Sequence, residues 1–153
     1  MKRQLEELCG KEIHVGFQND GKKAKRRNKN GQTEEDKTVT VLDVAMWNEL
    51  GTSSAPSRPF IRGTIDSRGE KITKFMEAEK RRVISGDITS EEALKQVGAM
   101  VVGEVQDYIR NGEFVPNAQS TIDKKGSDKP LIDTGTMRQS VHYVIKEKGE
   151  DEE

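Results

Sequence analysis

The sequence predicts an α+β fold in which a small antiparallel sheet, made of an N-terminal hairpin and a C-terminal strand, packs against two longer helices. Three patterns predict it. Apolar residues alternate at Ile13, Val15 and Phe17, and again at Val141, Tyr143 and Ile145, the period of a strand with one buried face. Between Leu94 and Ile109 they recur at three- and four-residue steps, the period of a helix. Only 31% of the 153 residues are hydrophobic while 35% are charged, so the chain can bury one modest core rather than two.

Taken in order, Leu5, Leu8 and Cys9 stand at helical spacing before Gly10. They predict a short amphipathic helix with Cys9 as a small buried hydrophobe. The Ile13–Phe17 strand follows, and Val39-Thr40-Val41-Leu42, again alternating and β-branched, is its expected hairpin partner. Between them, residues 18–37 are almost wholly polar, with turn-forming Asp20-Gly21 and Asn30-Gly31. Six of the eight residues from Lys22 to Lys29 are basic: Lys22, Lys23, Lys25, Arg26, Arg27 and Lys29. Mutual repulsion predicts that this long basic hairpin loop stays open and mobile.

Residues 43–50 read as a short helical turn closed by Gly51, and GTSSAPSRPF reads as a loop because of Pro56 and Pro59. One long helix is expected between Gly69 and about Ile84, carrying Ile72, Phe75, Met76 and Val83. A second starts after Gly86, where Thr89 and Glu92 have the spacing of a capping box. Gly98 and Gly103 each weaken it by roughly 1 kcal/mol relative to alanine, unless close packing needs them. A polar stretch then leads to Asp133 or Thr134 as the cap of one turn through Met137, before the last strand. Residues 1–146 thus form one domain, and residues 147–153, with five acids against one lysine, a disordered acidic tail.

Several function classes find no support. Lys+Arg 26 and Asp+Glu 27 give a net charge of −1, which argues against a wholly basic nucleic-acid binder. No nucleotide-binding glycine loop, CxxC or HExxH occurs, and His14 and His142 fall in separate strands. No catalytic, cofactor or metal set can be named. A single cysteine rules out an internal disulfide framework. The opening MKRQLEEL lacks the apolar run of a signal peptide, and no 18-residue apolar stretch occurs, so the expected setting is a cytoplasm, without membrane.

Two regions carry more information. The basic loop has the charge to contact phosphates in a salt-dependent, sequence-blind way, yet no interleaved aromatic to stack on bases. A solvated tip, or an arm laid on an acidic partner subunit, is the favoured explanation over contact with nucleic acid. Around Pro56–Phe60, Trp47 and Phe60 flank a proline-rich turn bracketed by Arg58 and Arg62. Such residues serve as an internal clamp or as anchors of an interface.

WNELGTSSAPSRPFIRGTID, Trp47 to Asp66, and PNAQSTIDKKGSDKPLIDTGTMRQSVHYVI, Pro116 to Ile145, resemble two conserved-order segments of a family of long-tailed bacteriophages and prophages. Its members are called minor tail, tail-completion, neck or virion morphogenesis proteins. The matched positions are Glu49, Gly51, Thr52, Pro56, Arg58, Pro59, Phe60 and Arg62, then Lys129, Pro130, Asp133, Thr134, Gly135 and Arg138, among others. The resemblance implies a non-enzymatic structural subunit of the virion tail or neck, assembled from the host cytoplasm. It implies a homo-oligomeric ring, a hexamer by preference and twelve-fold as the alternative. Such a ring joins tail to head beside connector, tail-terminator or tail-tube proteins and lines the DNA channel. The basic loop and acidic tail depart from a minimal member and inherit no role. The alternative function is a nucleic-acid-associated accessory module that binds phosphates through residues 22–29.

Overall fold

The computed structural model describes residues 2–126 and 128–149. It is an α+β fold whose elements run α1 (Lys2–Cys9), β1 (Lys11–Gly16), β2 (Lys23–Arg27), β3 (Thr33–Thr40), α2 (Val41–Leu50), α3 (Phe60–Ser85), α4 (Ser90–Asn111), α5 (Gln119–Lys125), α6 (Thr136–Gln139) and β4 (His142–Glu147).

The strands pair differently from the expected hairpin. β1 pairs antiparallel with β4, in the register Ile13↔Ile145 and Val15↔Tyr143, and β2 pairs with β3 in a separate two-stranded sheet. Val41 and Leu42 do not extend a strand; they open α2. Thr40 is the N-cap of that helix, its hydroxyl accepting from Asp43 N while the Asp43 carboxylate accepts from Thr40 N at 2.8 Å. The alternation at 39–42 is therefore the end of β3 running into a capping box, and the local cap outweighs β propensity.

The basic segment also departs from expectation: instead of an open mobile loop, it is strand β2. Its repulsion is offset by the acids of β3, which the register places opposite, Lys25 facing Glu35 and Arg26 facing Glu34. Cross-strand opposite charges stabilise such a pair. Asn28 closes the turn, its side-chain oxygen accepting from Asn30 N and Gln32 N.

The two long helices pack along each other. Beginning at Phe60, α3 starts nine residues earlier than the predicted Gly69, because Pro59 sits at its N-cap, where a fixed φ of −72° suits a helix start. The Thr89–Glu92 capping box of α4 forms as expected, and Leu94, Val97, Val105 and Ile109 are buried. Arg68 of α3 donates to Glu104 at 2.7 Å and to Asp107 at 2.6 Å, and Lys71 also bonds Glu104. Lys71 first and Arg68 next hold the Glu104 carboxyl below its ordinary range. At the other end, buried Ser90 donates through N and Oγ to Gln4, tying α1 to the start of α4. Cys9 is exposed rather than buried: the face of α1 that docks is centred on Gln4, Leu5 and Leu8, and Cys9 lies beyond its edge.

The core gathers Val41, Ala45, Phe60, Val105, Ile109, Leu131, Met137 and Val141. It thus joins α2, the first turn of α3, the last turns of α4 and the segment leading into β4. Glu147 ends β4 and Lys148 N continues to Gly10 O at 2.7 Å, so the expected tail is ordered to that point; residues 150–153 lie outside the described residues.

The two interior glycines of α4 are not equivalent. A Cβ on Gly98 would stand 2.5 Å from the Tyr143 ring of β4, whereas one on Gly103 would meet nothing within 4 Å. Gly98→Ala should therefore destabilise by about 1–3 kcal/mol through overpacking, and Gly103→Ala should stabilise by up to about 1 kcal/mol through helix propensity. Urea denaturation of the two variants checks the opposite signs.

Candidate functional site

The segment from Trp47 to Arg62 folds into a clamp between two helices. Gly51 ends α2 with φ +79°, and a Cβ there would meet Ser57 N at 2.8 Å, so the turn requires glycine. Thr52 N donates to Ala55 O, and the Thr52 hydroxyl accepts from Ala55 N at 3.0 Å. Arg58 N donates to Asn48 O, and Ser57 Oγ to Glu49 O, laying the loop back on α2. Pro56 is exposed at its turn.

The Glu49 carboxylate then caps the next helix. It accepts from Ile61 N at 2.9 Å and Arg62 N at 3.1 Å, two of the N–H groups that a helix start leaves unpaired. Pro59 supplies no side-chain acceptor, so the cap comes from ten residues upstream in the chain. Phe60 is 1% exposed and meets Phe17 edge-on at 5.9 Å between ring centres. Arg58 is buried as well, Nε donating to Val115 O at 2.8 Å and Nη2 to Pro116 O at 3.1 Å. Burial lowers the pKa of its guanidinium below the ordinary arginine value, and the two carbonyls each take one of its N–H donors. Of the two arginines expected to bracket the loop, Arg58 therefore works inside the fold and Arg62 presents an exposed side chain.

The second segment meets the basic hairpin. Leu131 and Met137 are in the core, and Gly135, at φ +77°, opens α6. Neither Asp133 nor Thr134 is the N-cap, because the left-handed turn at Gly135 takes that place; Thr134 Oγ1 still accepts from Thr136 N at 3.4 Å. Asp133 Oδ1 is buried without a hydrogen bond among the described residues, 3.8 Å from Arg27 Nε. Thr134 Oγ1 reaches Lys25 O at 3.4 Å, and Lys22 Nζ donates to Ser140 Oγ at 2.8 Å. Arg138 is half-buried, while Lys129 is exposed and Pro130 half-buried just ahead of Leu131.

The hairpin's six cations are thus partly committed. Arg26 bonds Glu34 at 3.2 Å and stands 3.5 Å from Asp36, and Lys23 Nζ reaches Thr38 O at 3.5 Å. Lys25 and Lys29 are exposed with no ion pair among the described residues.

One surface was not singled out from the sequence. Met46, Trp47 and Leu50 share the outer face of α2, 50%, 47% and 64% exposed. The opposite face carries Val41 and Ala45 in the core. A helix apolar all round is normally buried all round, so the missing signal lay in α2 having no polar stripe. A second apolar feature is an open groove of about 760 Å³ between α1, β1, α3 and α4, lined by residues including Leu8, Ile13, Ile65, Met76 and Val97.

Among the described residues, no group of three or more His, Cys, Asp or Glu is arranged to hold a metal ion. No described helix is long and apolar enough to cross a membrane. Compared with protein-family models, curated proteins and solved structures, the chain matches none.

Two predictions follow the clamp and the hairpin. Arg58→Ala should cost about 2–4 kcal/mol in urea denaturation, with Arg58→Lys restoring little because one ammonium cannot reproduce the fork on two carbonyls. In the hairpin, backbone bonds from Val39 and then Thr38 lower the Asp36 carboxyl to about 2. A depressed carboxylate contributes stability above its unfolded value near 3.8 that is lost as pH falls through about 2. Nuclear magnetic resonance titration should place Asp36 near that midpoint, with Thr38 and Val39 amides losing exchange protection over the same range; a midpoint at the ordinary aspartate value contradicts the turn.

Proposed function

We propose that this chain is a non-enzymatic structural subunit of a bacteriophage virion, a ring-forming tail-completion or neck protein at the head–tail junction. The observation that carries this reading is the outer face of α2. Met46, Trp47 and Leu50 form an apolar ridge on a helix that the clamp holds rigidly, and rigid aromatic anchors on an exposed ridge are typical of interface centres. The resemblance of residues 47–66 and 116–145 to the tail-completion family supplies the setting. On this reading the residues of the two segments mostly build the platform: Glu49, Gly51, Arg58 and Phe60 hold the ridge, and Asp133, Thr134 and Gly135 seat the hairpin. Contacts to neighbours then come from Met46, Trp47, Leu50 and Arg62. A ring uses such a ridge against a different face of the next copy, since cyclic closure needs heterologous contacts. The hexamer remains the favoured stoichiometry, with neighbouring connector, terminator or tube proteins stacked on it.

The accessory nucleic-acid reading loses weight for a physical reason. Glu34, Glu35 and Asp36 lie across the sheet from the cations, and Arg26 and Arg27 already face carboxylates. A phosphate chain would meet both signs of charge.

Imaging of particles from the source phage or induced prophage, with mass identification of the chain, tests the reading. The expected result is a ring of this subunit at the neck or tail end. Trp47→Asp combined with Leu50→Asp should leave the isolated chain folded and reduce its incorporation at least tenfold, the effect of about 1.4 kcal/mol at each contact. Finished particles that lack the chain would overturn the assignment.

A further inference from the structure

The surface carries two apolar features of opposite shape. Of the seven large hydrophobics exposed among the described residues, Met46, Trp47 and Leu50 form the ridge on α2, and Ile65 and Met76 stand on the α3 wall of the groove. Ile13 and Val15 of β1 make the opposite wall, and buried Leu94 and Val97 of α4 close the bottom. Along α3 the groove is lined from Ile65 to Lys80, roughly 22 Å at helical rise, while the ten residues of α2 span roughly 15 Å. The groove is therefore long enough for the ridge. A chain cannot fill its own groove: no α2 residue lines it, and α2 turns Val41 and Ala45 into the core on the side away from the ridge.

We propose that the groove between α1, β1, α3 and α4 receives the Met46–Trp47–Leu50 ridge of a second copy of this chain. The contact is ridge into groove, not ridge against ridge, and it rests on reading the chain as a repeating subunit. Three observations choose this occupant: the fit in length, the apolar surface and the flanking charges. The ridge side chains offer on the order of 300 Å² of apolar surface, the size of a functional patch on a monomer. An aromatic anchor seated between apolar walls is the usual centre of an interface. Beside the ridge, Arg62, whose N–H is held by Glu49 next to Leu50, has an exposed side chain with no ion pair among the described residues. On the groove rim, Glu77 next to Met76 is exposed and unpaired in the same way. The C-terminal end of α2, negative by its dipole and without a basic residue, suits exposed Lys80 at the same end of the groove. Both pairings set one direction, with Leu50 toward Met76 and Met46 toward Ile65.

Sedimentation velocity of the full chain, with Trp47 emission read alongside, tests this. Wild-type chain should self-associate, and its emission should shift to the blue as it does. Trp47→Asp spoils the ridge and Met76→Asp the groove. Each alone should weaken association at least tenfold, with circular dichroism and the urea midpoint little changed because both side chains are half-exposed. Ile65→Lys, on the same wall, should act as Met76→Asp does. Mixing Trp47→Asp with Met76→Asp should restore one contact, the ridge of the second in the groove of the first, and stop at a one-to-one pair. Arg62→Glu should weaken association about fivefold, and Glu77→Arg added to the same chain should return it. A wild-type chain monomeric up to about 1 mM would overturn the proposal. So would mixed variants that stay monomeric, or groove variants that associate like wild type, the result of ridge against ridge. A ring of this chain in particles with the groove empty would overturn it and spare the virion assignment. Particles that lack the chain while the mixed variants still pair would overturn only that assignment.

Discussion

The structure depends most on one carboxylate. Glu49, near the end of α2, takes the N–H groups of Ile61 and Arg62 at the start of α3. A helix of 26 residues thereby begins immediately after a proline, with a negative charge at the positive end of its dipole. The same bond fixes how α2 sits against α3. Gly51 makes the turn between them sterically feasible, and Arg58 locks the loop to the carbonyls of Val115 and Pro116. Phe60, driven into the core by this geometry, then joins α2 to the last turns of α4. The outward face of α2 is rigid because everything behind it is tied.

That rigidity has a functional meaning. Free apolar side chains on a mobile loop would lose entropy on binding; on a clamped helix they lose little. Met46, Trp47 and Leu50 are such side chains, and the groove between α1, β1, α3 and α4 is a second surface that the described residues leave uncovered. The two small sheets share this incompleteness. Among the described residues each has two strands and unpaired edges, and an isolated two-stranded sheet is marginal in water. The β1–β4 pair is backed by α4, whereas β2–β3 is held by Lys22, Lys25 and Arg27 at its root. A molecule built this way is suited to being completed by neighbours.

The α+β class and the two long helices were legible in the sequence because their signals were long or chemically specific: the Leu94–Ile109 stripe, the Thr89–Glu92 box, and the alternation at both ends. Strand pairing was not. Alternation at 13–17 and at 39–42 named two extended segments without saying that the C-terminal strand would take the first. Thr40 and Asp43 held the contrary signal in their capping spacing. The basic run looked open because its charges were counted alone; the acids of residues 34–36 lie close in sequence, but their effect needs the register. For the candidate site, residue types around Pro56–Phe60 showed that something was fixed there. Which arginine served the fold, and that Glu49 capped α3 across the loop of residues 51–59, required the tertiary arrangement.

Trp47 is the sole tryptophan of the chain and sits at the centre of the exposed ridge, 47% accessible. Its fluorescence, followed with acrylamide quenching from the free chain to the assembled particle, reads the central claim directly. Burial of the α2 face against a neighbour predicts a blue-shifted emission and loss of quenching on assembly. Emission and quenching that stay at their free-chain values in the assembled particle would contradict it.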